Sequence, residues 1–183
     1  MRTKTCIHFL LALALLTLVA CESSHSRPDE AYAVYSAYLE SRILHDAHDY
    51  GTGVGVVLIQ QATSTLELRA DAVPRIAEQL NGVEASTLTN FRQVASESDT
   101  LTRKFSLPTT YVIARQTDIA SGKAKGDYGY LALSRVGFNE KGTQALFHVD
   151  HFCPLCGGGG YVLMKKNVFG VWKLQTEFFT FVS

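Results

Sequence analysis

Charge of one sign is what this chain has least of. Lys plus Arg number 17 and Asp plus Glu number 17, so the basic excess of a nucleic-acid binder is missing. No run of Lys or Arg is longer than a pair such as Lys165-Lys166, and no polybasic membrane patch is legible along the chain. Phosphate and dinucleotide loops are missing too. Gly51, Gly53 and Gly55 precede a strand rather than joining a strand to a helix, and Gly122-Lys123 lacks both the following Ser or Thr and the upstream glycine. Ser134 stands in no nucleophile elbow. There is no internal repeat, and only one long apolar run, Ile7 to Val19.

That run carries an address. Arg2 and Lys4 precede it, His8 and Thr17 alone interrupt it, and small Ala20 and then Cys21 follow. It is shorter than the ~20 apolar residues a spanning helix needs. Leu18-Val19-Ala20-Cys21 resembles the lipobox of bacterial lipoproteins. The resemblance implies cleavage before Cys21 and acyl chains, palmitate among them, on its sulfur and new amino group. Multiple acyl chains make such an anchor stable rather than reversible. In Gram-negative lipoproteins an Asp after the cysteine is the usual inner-membrane retention signal, so Glu22 implies an outer-membrane protein facing the periplasm. Residues 1–20 then form the signal peptide and 21–28 a lipidated tether. Residues 29–183 form one domain, of a size that supports one core. Without Met1 to Ala20 the chain loses Arg2 and Lys4, leaving 15 Lys plus Arg against 17 Asp plus Glu, a formal charge of −2.

The rest reads as α+β: an N-terminal helix and short middle helices packed on a mainly antiparallel sheet of five to six strands, ending in a meander. Pro28-Asp29-Glu30 is a helix start, with a proline and acids in the first turn. Tyr32, Tyr35, Leu39 and Ile43 recur at helical spacing, which predicts a helix to about Asp46. His45, Asp46, His48 and Asp49 form its polar exit. Val54 to Gln61 reads as a strand, Asp71 to Leu80 and Thr87 to Val94 as helices, and Thr109 to Ala114 as a strand. Four strands close the chain, at Gly129 to Val136, Thr143 to Phe152, Tyr161 to Lys166 and Val171 to Val182. Hairpin-length turns at Asn139 to Gly142 and Asn167 to Gly170 indicate antiparallel neighbours.

One segment stands apart: Cys153-Pro154-Leu155-Cys156 and Gly157 to Gly160, read as a loop between the second and third closing strands. In an oxidising compartment, Cys153 and Cys156 are expected to form a disulfide. A thioredoxin-like redox site would need a helix after the second cysteine, and glycines follow instead. A third reading is zinc, with His148, His151, Cys153 and Cys156 as ligands. His148 and His151 differ by three on a strand, which points them to opposite faces. No resident metal or other cofactor is expected. His148 and Asp150 share a face and form a candidate acid–base pair, although a cross-strand polar face explains them equally.

The closing third also resembles a group of uncharacterised bacterial secreted proteins and lipoproteins. The residues that carry this are Leu133 to Asn139, Gln144-Ala145-Leu146, Cys156-Gly157, Tyr161-Val162-Leu163 and Gly170 to Lys173. The resemblance implies an exported module with a paired sheet and a glycine-rich loop. It implies no activity. Arg135 and Asn139 are read as local hydrogen-bonded support.

The expectation for function is a non-enzymatic protein-binding module on the periplasmic side of the outer membrane. A sharper version is an immunity or inhibitor protein. Its partners are the membrane, through lipid on Cys21, and an unknown periplasmic protein, not a nucleic acid. On the last strand, Trp172, Leu174, Thr176, Phe178, Thr180 and Val182 read as one core-facing row. Phe179 and Phe181 end the other row; either the middle helices cover them as core, or with Gly157 and Gly158 they form a partner surface. The alternative is a small envelope enzyme or metal-dependent factor built on His148, His151, Cys153 and Cys156.

Overall fold

The computed structural model describes residues 27–50, 55–127, 129–153 and 157–182, the side chains of 43–50 excepted. Cys21, Cys156 and the polar cluster His45 to Asp49 therefore lie outside the described residues or side chains.

The first helix, α1 (Pro28–Tyr50), begins with Asp29 and Glu30 in its first turn, where carboxylates complement the positive end of the helix dipole. It runs a turn past the expected end at Asp46. Strand β1 (Val56–Gln60) follows, then α2 (Ala72–Gln79) and α3 (Ala85–Val94). Next come β2 (Thr110–Ala114), α4 (Gln116–Ala120), β3 (Tyr130–Leu133) and β4 (Gly137–Phe138). The chain closes with β5 (Gln144–Phe152), β6 (Gly157–Lys166) and β7 (Trp172–Val182). The very short α4 and β4 carry too few residues to show a period, and neither was expected from the sequence.

These elements form an α+β fold on one mixed sheet. Its seven strands run in the order β2-β1-β3-β5-β6-β7, with β4 pairing β5 outside that path. The expectation of five to six strands is corrected upward by β4, whose two residues pair with Leu146 and Ala145. β3, β5, β6 and β7 are antiparallel in turn. β1 pairs in parallel with both β2 and β3, because the chain crosses through helical segments before returning to its neighbour.

Alternation along β5 and β6 divides the core. Ala145, Phe147, Val149, Val162 and Met164 face α1, where Val34, Tyr35, Tyr38 and Leu39 are buried. Leu146 and Leu163 face α2 and α3, against Ile76, Leu80 and Phe91. β5 is accordingly buried on both faces from Gln144 to Val149, where it carries the apolar run Ala145-Leu146-Phe147. α3 lies directly on β4: a Cβ on Gly137 would sit 2.3 Å from the Phe91 Cα. Asn90 Oδ1 also accepts the Phe138 amide at 2.8 Å.

Buried polar groups join the layers. Gln144 accepts from the Glu84 amide and the Thr87 hydroxyl, and donates to the Gly82 carbonyl. Asn139 Oδ1 accepts the amides of Thr143 and Gln144, while its amide group donates to Glu84 and Thr143. Asn139 is thus the support the sequence suggested, holding the β4–β5 turn to α3.

Two expectations fail on the last hairpin. Gly157 to Gly160 are not a loop: they are the first residues of β6, paired with Phe152 to Val149 on one side. β7 also does not alternate regularly. Its register shifts between Gly159 and Gly160 and between Leu163 and Met164, and each extra residue swaps the faces that follow. Leu174 and Val182, expected in the core row, are 38% and 79% exposed.

Candidate functional site

The far end of the sheet, where β5 and β7 finish and β6 begins, gathers most of the chemistry. On the face shared with α2 and α3, register places Asp150 opposite Gly159 and His148 opposite Tyr161. The missing side chain of Gly159 makes room there. A Cβ on Gly159 would lie 2.1 Å from Asp150 Oδ1 and 2.5 Å from the Phe181 ring. The Asp150 carboxyl and the Phe181 ring therefore share the space above this glycine. Gly160 has a different reason. Its Cβ would meet the Phe178 carbonyl at 2.3 Å and Phe179 Cα at 2.7 Å, so only glycine admits β7 this closely at the bulge.

His148 is buried, with its amide bonded to the Ser134 hydroxyl at 2.8 Å. Its Nδ1 lies 3.7 Å from Asp150 Oδ2 and has no hydrogen-bond partner. The ring packs edge-on against Tyr161 at 5.0 Å between centroids, and Tyr161 stacks on Phe178. Burial lowers the His148 pKa, and the Asp150 charge offsets part of that. Burial raises the Asp150 carboxyl, with His148 as the offset. The Tyr161 hydroxyl is raised by burial and by the Asp150 charge. Burial therefore favours the uncharged form of both groups, an imidazole without its second proton beside a carboxyl that keeps its own.

The aromatic residues rim this pair unevenly. Tyr130 stacks on Phe152 at 4.6 Å across the β3–β5 pair. Phe152, Phe179 and Phe181 are 39%, 40% and 45% exposed. Phe179 and Phe181 were expected on one face. The bulge at Thr180 puts them on opposite faces: Phe181 against Gly159 and Asp150, and Phe179 on the α1 side beneath Arg42, 5.6 Å from its ring centre. Arg42 also approaches Glu177, at 3.9 Å, beside the Tyr38 hydroxyl. Gly158 belongs to the Phe179 side and packs against its ring.

The other expected ligands do not converge in the same way. His151 pairs with Leu131 and Gly158 on the face opposite His148. Among the described residues no group of three His, Cys, Asp or Glu side chains is gathered for a metal. Cys153 follows β5, and its expected partner Cys156 lies outside the described residues.

A feature the sequence did not reveal lies under the start of α1. It is a cleft of about 270 Å³ lined by Arg27, Tyr32, Asp99, Lys104, Arg135 and Phe138 among others. Two of its cations are paired with acids. Arg135 pairs with Glu97 and, at 3.5 Å, with Asp99, while Lys104 reaches Asp29 at 2.9 Å. The residues come from the start of α1, the segment after α3, and the β3–β4 connection with β4, too far apart in sequence for any local motif.

Comparison with known proteins finds no match: no protein-family model, no curated protein and no solved structure matches the chain.

Proposed function

We propose that this chain is a lipoprotein anchored in the outer membrane through Cys21. It faces the periplasm and works as a non-enzymatic protein-binding module, in the manner of an immunity or inhibitor protein. The observation that carries the binding role is the exposed apolar end of the sheet. Phe152, Phe179, Phe181 and Val182 are all exposed there, beside the edge strand β7. Half-exposed aromatic side chains at a sheet end are the kind of anchor that dominates protein interfaces, and an edge strand offers unpaired backbone groups to an extended segment. The Cys153–Cys156 disulfide belongs to the same proposal, closing the β5–β6 connection beside this surface.

A photo-crosslinking residue placed at Phe181, and separately at Val112 on β2 at the other sheet edge, tests the surface in growing cells. Adducts of one discrete mass at position 181 and none at 112 are expected. Equal adducts at both positions, or none at 181, would remove the binding surface. Anchoring is tested on its own by Cys21→Ser, which should block acylation and signal cleavage and deplete the outer-membrane fraction.

A second reading, a small envelope enzyme or metal-dependent factor, is favoured by one observation: the unpartnered Nδ1 of His148 beside Asp150. Metal analysis of protein isolated without chelator separates the two. Stoichiometric zinc that disappears in His148→Gln would favour the second reading.

A further inference from the structure

The near end of the sheet, opposite the aromatic end, has a surface of its own. The β6–β7 turn, Asn167 to Gly170, carries Val168 and Phe169 at its tip, 93% and 85% exposed. This exposure is built in. Asn167 Oδ1 accepts the amides of Phe169 and Val171, both at 3.0 Å. The Asn167 amide donates to the Val171 carbonyl, and Gly170 takes the left-handed conformation the turn requires, with φ +76°. A turn so tied holds the two apolar side chains outward.

The base of the hairpin is fastened to the first turn of α1. Glu30 Oε1 accepts the Trp172 indole N–H at 2.6 Å and lies 2.7 Å from Lys166 Nζ. Burial alone would raise the Glu30 carboxyl, but these two donors hold it below its ordinary range. The β4–β5 turn joins from the side, since Lys166 donates its amide to the Thr143 carbonyl and Arg27 donates to the Glu140 carbonyl. The tip, the β4–β5 turn and the start of α1 therefore share one end of the molecule. Cys21 is six residues before Arg27, a reach of at most about 20 Å.

Charge at this end is gathered by the fold. Lys165 and Lys173 are exposed and stand directly opposite each other across β6 and β7. Like charges in that position repel, and an anionic surface outside the protein relieves the repulsion. Exposed Lys141 and Arg27 come from the neighbouring turn and the helix start.

We propose that the Asn167–Gly170 tip is a membrane-docking finger: Val168 and Phe169 enter the boundary between headgroups and acyl chains, and the surrounding Lys141, Lys165, Lys173 and Arg27 meet anionic headgroups. Apolar tips framed by basic side chains bind interfaces by adding apolar burial to attraction for anionic lipid. This deepens the lipoprotein reading and rests on it for the side on which the membrane lies. Docking at the tip sets the long axis of the sheet away from the bilayer. The eleven residues of β7 then carry Phe181 about 30 Å outward, toward soluble partners.

The chain holds one tryptophan, Trp172, which is buried, so Phe169→Trp places a new reporter at the tip. The purified full-length product is reconstituted in vesicles of phosphatidylethanolamine and phosphatidylglycerol with brominated acyl chains. Emission of Phe169→Trp should be quenched strongly, and that of the wild type hardly at all. Equal quenching of the two proteins overturns the finger. Its intact mass reports acylation of Cys21 separately, so an acylated protein whose tip is not quenched loses the finger and keeps the anchor. If Cys21 carries no lipid, flotation with the same vesicles decides. Association that falls about tenfold or more in Val168→Asp with Phe169→Asp, and on replacing phosphatidylglycerol by phosphatidylcholine, supports the finger. No flotation, or flotation indifferent to both changes, overturns it.

Discussion

The two ends of the sheet expose apolar side chains in opposite ways. At the near end, Val168 and Phe169 stand on a turn closed by its own hydrogen bonds, and almost nothing else touches them. At the far end, Phe179 and Phe181 are only half exposed, because each leans on a glycine strand and on a neighbour, Arg42 or Asp150. Removing side chains at the near end should therefore change what the molecule touches and leave its stability alone. At the far end the surface and the packing are one structure, and the two effects separate only by position.

The sharpest contrast lies within the glycine run. Gly160→Val drives a side chain into the backbone of Phe178 and Phe179, and backbone has no rotamer with which to escape. It should cost about 3 kcal/mol or more, read by urea unfolding, and open the β6–β7 pairing. Gly159→Ala meets only the Asp150 carboxyl and the Phe181 ring, which can swing aside, so it should cost clearly less. Equal losses would mean that the bulge does not distinguish the two glycines.

Replacing Cys153 and Cys156 together by Ser should cost about 2 kcal/mol, the chain-entropy value for closing so short a loop. Thiol counting on protein isolated without reductant should find neither cysteine reactive. Two reactive thiols with bound zinc would instead transfer this segment to the metal reading.

Phe181→Ser should cost about 1 kcal/mol, since nearly half of the ring is already in water. It should also abolish partner crosslinking from neighbouring positions. A loss near 3 kcal/mol would show that Phe181 is core. The corresponding pair at the near end, Val168→Ser with Phe169→Ser, should move stability by less than about 0.5 kcal/mol.

The two ends respond to acid through different groups: Glu30, held below its ordinary range by Lys166 and Trp172, at the near end, and the His148–Asp150 pair at the far end. Burial lowers His148 in the folded chain, so the unfolded chain takes up that proton first as pH falls below about 6.5. Stability is then lost on acidification until the pH passes the lowered folded pKa. Asp150 has the opposite sign. Burial raises it, so its contribution is fully present below about pH 3.9 and is lost as pH rises through the raised folded pKa. His148→Gln should flatten the decline below about pH 6.5, and Asp150→Asn should raise stability at neutral pH. A decline unchanged in His148→Gln would place the acid sensitivity elsewhere.

Local pattern was enough for the α+β class and most elements. Pro28 with its acids starts α1, the β-branched run at Val56 to Gln60 makes β1, and the turns around Gly142 and Gly170 close their hairpins. Each depends on neighbours within a few residues, which is the range over which capping, turn chemistry and hydrophobic period act. His148 and Asp150 were legible as partners for the same reason, since residues two apart on a strand share a face. Which strands run in parallel was not legible, because β1, β2 and β3 meet only after the intervening helical segments have folded back. The bulges that separate Phe179 from Phe181 arise where β7 crosses the glycines of β6, and no residue of β7 alone announces them. The basic end came the same way. Along the chain no run of Lys or Arg exceeds a pair, yet Arg27, Lys141, Lys165 and Lys173 arrive at one end from four places in the chain: the start of α1, the β4–β5 turn, β6 and β7. Charge and shape at a surface sum over whatever the fold brings together, and that sum is set by tertiary contacts rather than by sequence order.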